Sequence, residues 1–354
     1  MDTLQKTNAR RINHLFICKE GADNWSFDAF VNNHPVQYFS YGRHALYEAL
    51  KVIDCKKGDR VLIPAFICRE ILSAVNTTGS SPVYYNVDQQ LLLSTFPDAL
   101  PPAKAIIAVN YFGFPQNLVP FQQYARRTGA VIVEDNAHGF LSRDQGGQAL
   151  GTRGDIGIFS LRKTLMLPNG AAMVMKIPGK AGLPDSQKLS KAGIPFSFIV
   201  KRFLRKMIPL INLNTIYQLT DITRIMRKIA TGHEILPSNG DAEYRLPVDS
   251  MPCKALLSTL ANLDEANEIS RRRELYTIVD SIIRNKGYKP VFSMLPQGVA
   301  PYAYPFYSLE GRIGPAKSAL KEVGLECISW PELPDDIRPE APDHYRSIWM
   351  VNFL

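Results

Sequence analysis

The chain has 354 residues, enough for two domains and a large core, and its 45% hydrophobic and 21% charged residues are the balance of an ordinary globular protein. A formal net charge of +8 favours anionic partners, such as a phosphorylated cofactor, a nucleotide-linked substrate or an acidic membrane surface, while no nucleic-acid-binding motif is present. Five scattered cysteines without a Cys-x-x-Cys pair point to neither a disulfide framework nor a zinc site, and no run reaches the ~18 apolar residues of a membrane span.

Residues 1–39 read as a polar, aromatic-spotted arm with no clear period. Its apolar patch, Leu15-Phe16-Ile17, is too short for a signal-peptide core, so the cytoplasm is the expected compartment. In Tyr41-Gly42-Arg43-His44-Ala45 a glycine precedes the helix-like run ALYEALKVI. Glycine at a helix start lets backbone N–H groups approach a phosphate, and the helix dipole adds to the attraction. Arg43 either strengthens such a site or pairs with a surface acid. Gly58 to Cys68 reads as a turn, a strand and a strand end; Pro82–Asp88 and Ala105–Gly113 read as further strands, with a helix over Leu118–Thr128. Strands alternating with helices at this interval predict βαβ units and a mostly parallel sheet, an α/β fold.

The chemistry collects between Ala130 and Met175. The strand Ala130-Val131-Ile132-Val133 ends in Glu134-Asp135-Asn136-Ala137-His138, and ligands of open α/β sheets sit at the carboxyl ends of strands. A second apolar run ends in Phe159-Ser160-Leu161-Arg162-Lys163. A carboxylate can hold a pyridine nitrogen protonated, a hydroxyl can bind a phosphate, and a lysine amine can condense with an aldehyde. Those are a protein's tasks in pyridoxal-phosphate chemistry. Singly, Asp135, Ser160 and Lys163 have plainer readings as a loop cap, a strand-end hydroxyl and a solvated amine; together they favour a cofactor site.

Beyond Met175, Pro178–Pro195 reads as a loop. Phe196–Ala230 carries Lys201, Arg202, Arg205, Lys206, Arg224, Arg227 and Lys228 against the single acid Asp221, with apolar residues at helical spacing. Such a basic amphipathic stretch is expected to cover a groove or a dimer seam rather than lie on a membrane. Pro252–Ile283 reads as one long helix with a Leu256, Leu257, Leu260, Leu263 stripe. A strand-like YAYPFYSL, a helix over Ile313–Val323 and a proline-rich tail follow.

Val-Glu-Asp-Asn-Ala-His, followed by Gly-Thr-Arg-Gly-Asp-Ile-Gly-Ile-Phe-Ser, resembles the DegT/DnrJ/EryC1/StrS group of sugar aminotransferases, over a stretch from near Ser40 to about Tyr276 with a gap. The resemblance implies the type I pyridoxal-phosphate aminotransferase fold. The expected parts are an arm (1–39), a large cofactor-binding domain (40–239, with the basic insertion 196–230) and a small α+β domain (240–354). Relatives continue some tens of residues past Val351–Leu354, so either the sequence is shortened here or the small domain is abbreviated. By the same resemblance Lys163 would hold pyridoxal 5′-phosphate covalently, Asp135 would face the pyridine nitrogen, and His138 would contact the ring hydroxyl. Ser160, Gly42 and Arg43 would bind the phosphate, and no metal is expected. The implied function is transfer of an amino group, from glutamate, to a nucleotide-linked keto sugar in amino-sugar or surface-polysaccharide biosynthesis, by a homodimer.

Three positions depart from the family pattern. The reactive lysine usually lies five residues after the serine, where this chain has Leu165; Lys163 lies three after it, a spacing other type I enzymes use. Cys68 stands where an aromatic ring would stack on the pyridine, with Phe66 a possible substitute. Glu243 replaces the asparagine that reaches the partner subunit's cofactor phosphate. Two other readings stay open: a non-catalytic relative acting as scaffold or sensor, and a pyridoxamine-dependent sugar dehydratase, against which the retained lysine argues.

Overall fold

The computed structural model describes residues 25–177, 198 and 240–353. Most of the basic 196–230 stretch and the 178–195 segment lie outside the described residues, as does most of the N-terminal arm.

The described residues begin with a short helix α1 (Phe27–Phe30) and strand β1 (Val36–Phe39), then helix α2 (Gly42–Val52). Ala45, Leu46, Ala49 and Leu50 recur at helical spacing and form the buried face of α2. Alternating elements follow: β2 (Arg60–Pro64), α3 (Leu72–Thr78), β3 (Ser81–Tyr85), β4 (Ala105–Val109), α4 (Val119–Thr128), β5 (Val131–Asn136), β6 (Ile156–Phe159) and β7 (Ala171–Met175). Both α3 and α4 stop at a glycine in the left-handed region, Gly79 and Gly129. The seven strands form one sheet in the order β1-β7-β6-β5-β4-β2-β3. Pairings from β6 through β5, β4 and β2 to β3 are parallel; β7 runs antiparallel to β6 and to β1 at the other edge.

Both faces of this sheet are covered, as a parallel sheet requires. In β7, Ala171, Met173 and Met175 face the main core, while Ala172 and Val174 face a second cluster built on Phe27, Phe30, Phe140 and Leu256. The strand's period of two sends alternate residues to opposite faces.

The second part carries helices α5 (Ala255–Ala261) and α6 (Glu265–Asn285) and a four-stranded antiparallel sheet, β10-β11-β9-β8. Its strands are β8 (Lys289–Pro290), β9 (Ala303–Tyr307), β10 (Cys327–Ser329) and β11 (Ile348–Asn352), with α7 (Gly314–Glu322) and α8 (Asp343–Arg346) between them. The single helix expected over Pro252–Ile283 is two. Asp264 has non-helical backbone angles and its side chain accepts the Asn267 N–H, a cap that starts α6 afresh. Within α5, Leu256 and Leu260 are buried while Leu257, one of the expected stripe, lies off that face and is 40% exposed. The strand expected over Ala105–Gly113 ends at Val109, and Tyr111–Gly113 turns with Phe112 in the left-handed region. Among the described residues, no helix is long and apolar enough to cross a membrane.

Candidate active site

The motif Glu134-Asp135-Asn136 divides its work by strand alternation. Glu134 points away from the cavity and is fully buried. Its carboxylate accepts from Arg153 Nε (2.8 Å) and Nη2 (2.6 Å), from the Arg153 and Gly154 backbone N–H groups (2.8 and 3.2 Å), and from Asn110 Nδ2 (2.9 Å). Asn136 donates to the Leu150 carbonyl (2.8 Å) and accepts from Asn110 (2.9 Å). These two residues fasten β5 to the Gly-Thr-Arg-Gly loop that leads into β6. That loop passes so close that a Cβ at Gly157 would collide with the Gly151 carbonyl.

Asp135 lies on the other side of β5 and lines a cavity together with Gly42, Arg43, His138, Ser160 and Lys163. All six residues singled out from the sequence meet there. Asp135 is 7% exposed and accepts the Ala137 N–H at 2.9 Å. Burial raises its pKa, while that hydrogen bond and the Lys163 charge pull it back.

Lys163 sits in a 3₁₀ turn, Leu161–Lys163, directly after β6. Its N–H bonds the Ser160 carbonyl, and the neighbouring Arg162 N–H bonds Gly170, which ties the turn to β7. Lys163 Nζ stands 2.9 Å from His138 Nε2. His138 is buried, and its Nδ1 accepts the Phe112 N–H at 3.3 Å. That N–H is aimed by a backbone turn in the left-handed region, φ +56° at Phe112. With Nδ1 accepting, a neutral His138 ring carries its proton on Nε2, facing the Lys163 amine. Burial lowers the pKa of both groups; Arg162 lowers that of Lys163 further, against Cys68, Asp135 and Glu70. The Tyr302 ring stacks on His138 at 4.5 Å and 12°.

At the other end of the cavity, α2 begins without a side-chain cap: Tyr41, in the N-cap position, makes no such bond. A Cβ at Gly42 would stand 3.8 Å from Ser160 Cβ, an ordinary contact, so the fold itself does not demand glycine here. The missing side chain instead leaves the helix start open to the cavity. Ser160 is buried beside it. Arg43 and Arg162 flank the Tyr41 ring at 5.5 and 5.2 Å, and Arg162 Nε is buried with no hydrogen-bond partner among the described residues. An uncapped helix start, a hydroxyl and an orphaned guanidinium N–H are what a phosphate would satisfy. With a buried amine and a buried carboxylate in the same cavity, the donor set fits pyridoxal phosphate.

The departures from the family pattern have structural resolutions. Leu165 is buried in the second apolar cluster, so the position five residues after Ser160 faces core. Cys68 does line the cavity, its thiol pushed up to about 11 by burial. Phe66 does not; it is fully buried against Tyr111, Trp330 and Tyr345. Glu243 is buried in an ion pair with Arg69 Nε (3.2 Å) and accepts the Asp335 N–H (2.8 Å), a tie between the two halves of the chain. Sequence reasoning missed Trp330, which lines the cavity from the segment after β10, and Tyr302 beneath His138. Neither carries a local signal, because each reaches the site from more than 130 residues away in sequence.

Residues 24–178 match the DegT/DnrJ/EryC1/StrS aminotransferase family. Over 144 residues the chain is 30% identical to a dTDP-4-dehydro-2,3,6-trideoxy-D-glucose 4-aminotransferase of Saccharopolyspora spinosa, covering 40% of this chain and 37% of that one. It is 32% identical over 123 residues to a UDP-N-acetyl-3-dehydro-alpha-D-glucosamine 3-aminotransferase of Acidithiobacillus ferrooxidans, covering 34% and 33%. With the GDP-perosamine synthase of Escherichia coli O157:H7 it shares 29% over 154 residues, 41% and 42% of the two chains. The matched stretch therefore spans less than half of each of these relatives. In three dimensions the likeness runs nearly end to end. The aminotransferase TlmJ of Streptoalloteichus hindustanus superposes with TM-score 0.62 at 18% identity, over 99% of this chain and 91% of that one. DesV of S. venezuelae does so with TM-score 0.63 at 17% identity, over 99% and 88%. Residues 24–178 thus resemble the DegT/DnrJ/EryC1/StrS aminotransferase family, and the chain shares the type I fold of these aminotransferase structures.

Proposed function

We propose that the protein is a pyridoxal-phosphate-dependent aminotransferase that moves an amino group, with glutamate as donor, onto a nucleotide-linked keto sugar. It would act in the cytoplasm as a homodimer, in amino-sugar or surface-polysaccharide biosynthesis. The observation that carries the reading is the buried Lys163 amine, held 2.9 Å from His138 Nε2 in the cavity that Asp135 also lines. The relatives' names supply the substrate class, since two of them name a nucleotide-linked dehydro sugar as the acceptor. The formal charge of +8 suits an anionic diphosphate substrate.

Pyridoxal phosphate, when bound, supplies an aldehyde and a ring that withdraws electrons from the carbon bearing the amino group. Asp135 holds a proton at the pyridine nitrogen, the condition for that withdrawal. Ser160, the α2 start at Gly42, Arg43 and Arg162 answer the phosphate charge. Lys163 would hold the cofactor covalently, and its amine would serve as the base and then the acid for the proton moved at the substrate carbon. A lysine at its ordinary pKa of 10.5 is protonated at neutral pH; burial, helped by Arg162, lowers that of Lys163 and favours the free base.

The test is borohydride reduction of the protein with added pyridoxal phosphate, followed by peptide mapping, alongside an assay of amino transfer from glutamate to dTDP- and UDP-linked keto sugars. Label on Lys163 with turnover supports the reading. Absence of a visible absorbance band, with no label on Lys163, would leave the scaffold reading in its place.

A further inference from the structure

We propose that Arg272 is a positioning residue for Lys163, holding the turn that carries the amine and the Tyr302 ring beneath it in one fixed relation. The proposal rests on the reading of Lys163 as the reactive amine. Arg272 lies on α6 and is 1% exposed. Its guanidinium reaches in three directions. Nε donates to Glu268 Oε1 at 2.6 Å. Nη1 donates to the Pro301 and Tyr302 carbonyls at 3.2 and 3.4 Å. Nη2 donates to the Thr164 carbonyl at 3.2 Å, on the residue that follows Lys163.

These contacts close a ring. From Arg272 one path runs through Thr164 to Lys163. The other runs through Tyr302, whose N–H bonds the Phe112 carbonyl at 2.9 Å, to Phe112, whose own N–H holds His138. His138 and Lys163 complete it at 2.9 Å. A guanidinium suits the junction because its planar fork offers five donors in fixed directions, whereas an ammonium is a point charge. Burying such a cation is costly unless every donor is met, and Glu268 supplies the counter-charge.

Arg272 acts here by place and not by charge. The charges that perturb Lys163 are those of Cys68, Arg162, Asp135 and Glu70, behind the dominant effect of burial. The geometry therefore makes a distinguishing claim: a cation of the wrong shape at 272 should fail as an uncharged residue does.

The experiment uses the full chain without cofactor, trace-labelled with acetic anhydride across pH, with the acetylation of Lys163 and of the exposed Lys57 read by mass spectrometry. Wild-type Lys163 should titrate well below Lys57. In both Arg272→Lys and Arg272→Met the Lys163 midpoint should rise by about one pH unit as the amine loosens into solvent. Glu268→Gln, which keeps both arginines and weakens only the anchor of Nε, should shift it the same way by less, and it remains readable if Arg272→Met does not fold. Melting temperature is followed in parallel. A lowered melting point with the Lys163 midpoint unmoved in the folded variants overturns the proposal, as does an Arg272→Lys variant that titrates like wild type. A wild-type Lys163 that titrates with Lys57 would overturn the reading of Lys163 itself, and this proposal with it.

Discussion

Lys163 Nζ and His138 Nε2 stand 2.9 Å apart, and the far nitrogen of the imidazole is already taken by the Phe112 N–H. Two bases therefore face each other with one shared hydrogen between them. Adding a proton to either would place a charge in a buried cavity beside Arg162. The fold therefore opposes protonation of both groups, burial being the largest cause for each.

This has a consequence for stability. Folding lowers the pKa of Lys163 below its ordinary 10.5, so between the folded value and 10.5 the unfolded chain binds a proton that the folded chain does not. Stability then rises with pH across that window, and at neutral pH Lys163 costs stability. In the cofactor-free protein, Lys163→Met should raise the melting temperature by ~2 °C or more at pH 7 and flatten its rise toward pH 10. Calorimetry at pH 7 and pH 9.5 checks it; an unchanged slope would mean the amine is solvated in the folded state.

Asp135 gives the opposite sign with the same logic. Burial raises its folded pKa above the ordinary 3.8, so the stability it contributes in its protonated form is lost as pH rises through the folded value. Asp135→Asn should leave the cofactor-free protein no less stable at pH 7. Amino transfer should fall by about a hundredfold or more, because the amide no longer holds the ring nitrogen's proton. Urea melts and steady-state rates on the same preparation decide it. Undiminished turnover would remove Asp135 from the site.

Glu134, its neighbour, should behave as structure. Removing it leaves Arg153, whose side chain is 10% exposed, and the loop N–H groups without their acceptor. Glu134→Ala should cost ~3–5 kcal/mol, the usual penalty for an uncompensated buried charge. A shift of the urea midpoint at constant slope measures it, and a loss under ~1 kcal/mol would mean Arg153 finds another partner.

Trp330 is the aromatic wall that the Cys68 position lacks. It packs edge-on against Phe66 and Phe112 and lines the cavity from the antiparallel-sheet side. Adding pyridoxal phosphate should quench tryptophan emission, and Trp330→Phe should remove most of that quench, since Trp25 and Trp349 do not line the cavity. An undiminished quench in the variant would put the cofactor elsewhere.

What the sequence determined by itself was everything whose cause is local. Alternation in β5 separates Glu134 from Asp135, and helical spacing buries one face of α2. The run from Ser160 to Lys163 follows a strand and so emerges at its carboxyl end, where the cavity forms. Each of these follows from a period of two or of 3.6 residues, visible in any short window. Other features depended on contacts between distant parts of the chain. The long helix divides at Asp264 because one carboxylate caps a new start, a choice the leucine stripe conceals. The partners of Lys163 include Tyr302 through His138, and Thr164 is held by Arg272, more than 100 residues on. Glu243 reads as a defective phosphate ligand until Arg69 is found beside it. Such pairings depend on how two sheets and a helix come together, and the free energy that selects them is shared over the whole core; no single segment carries it.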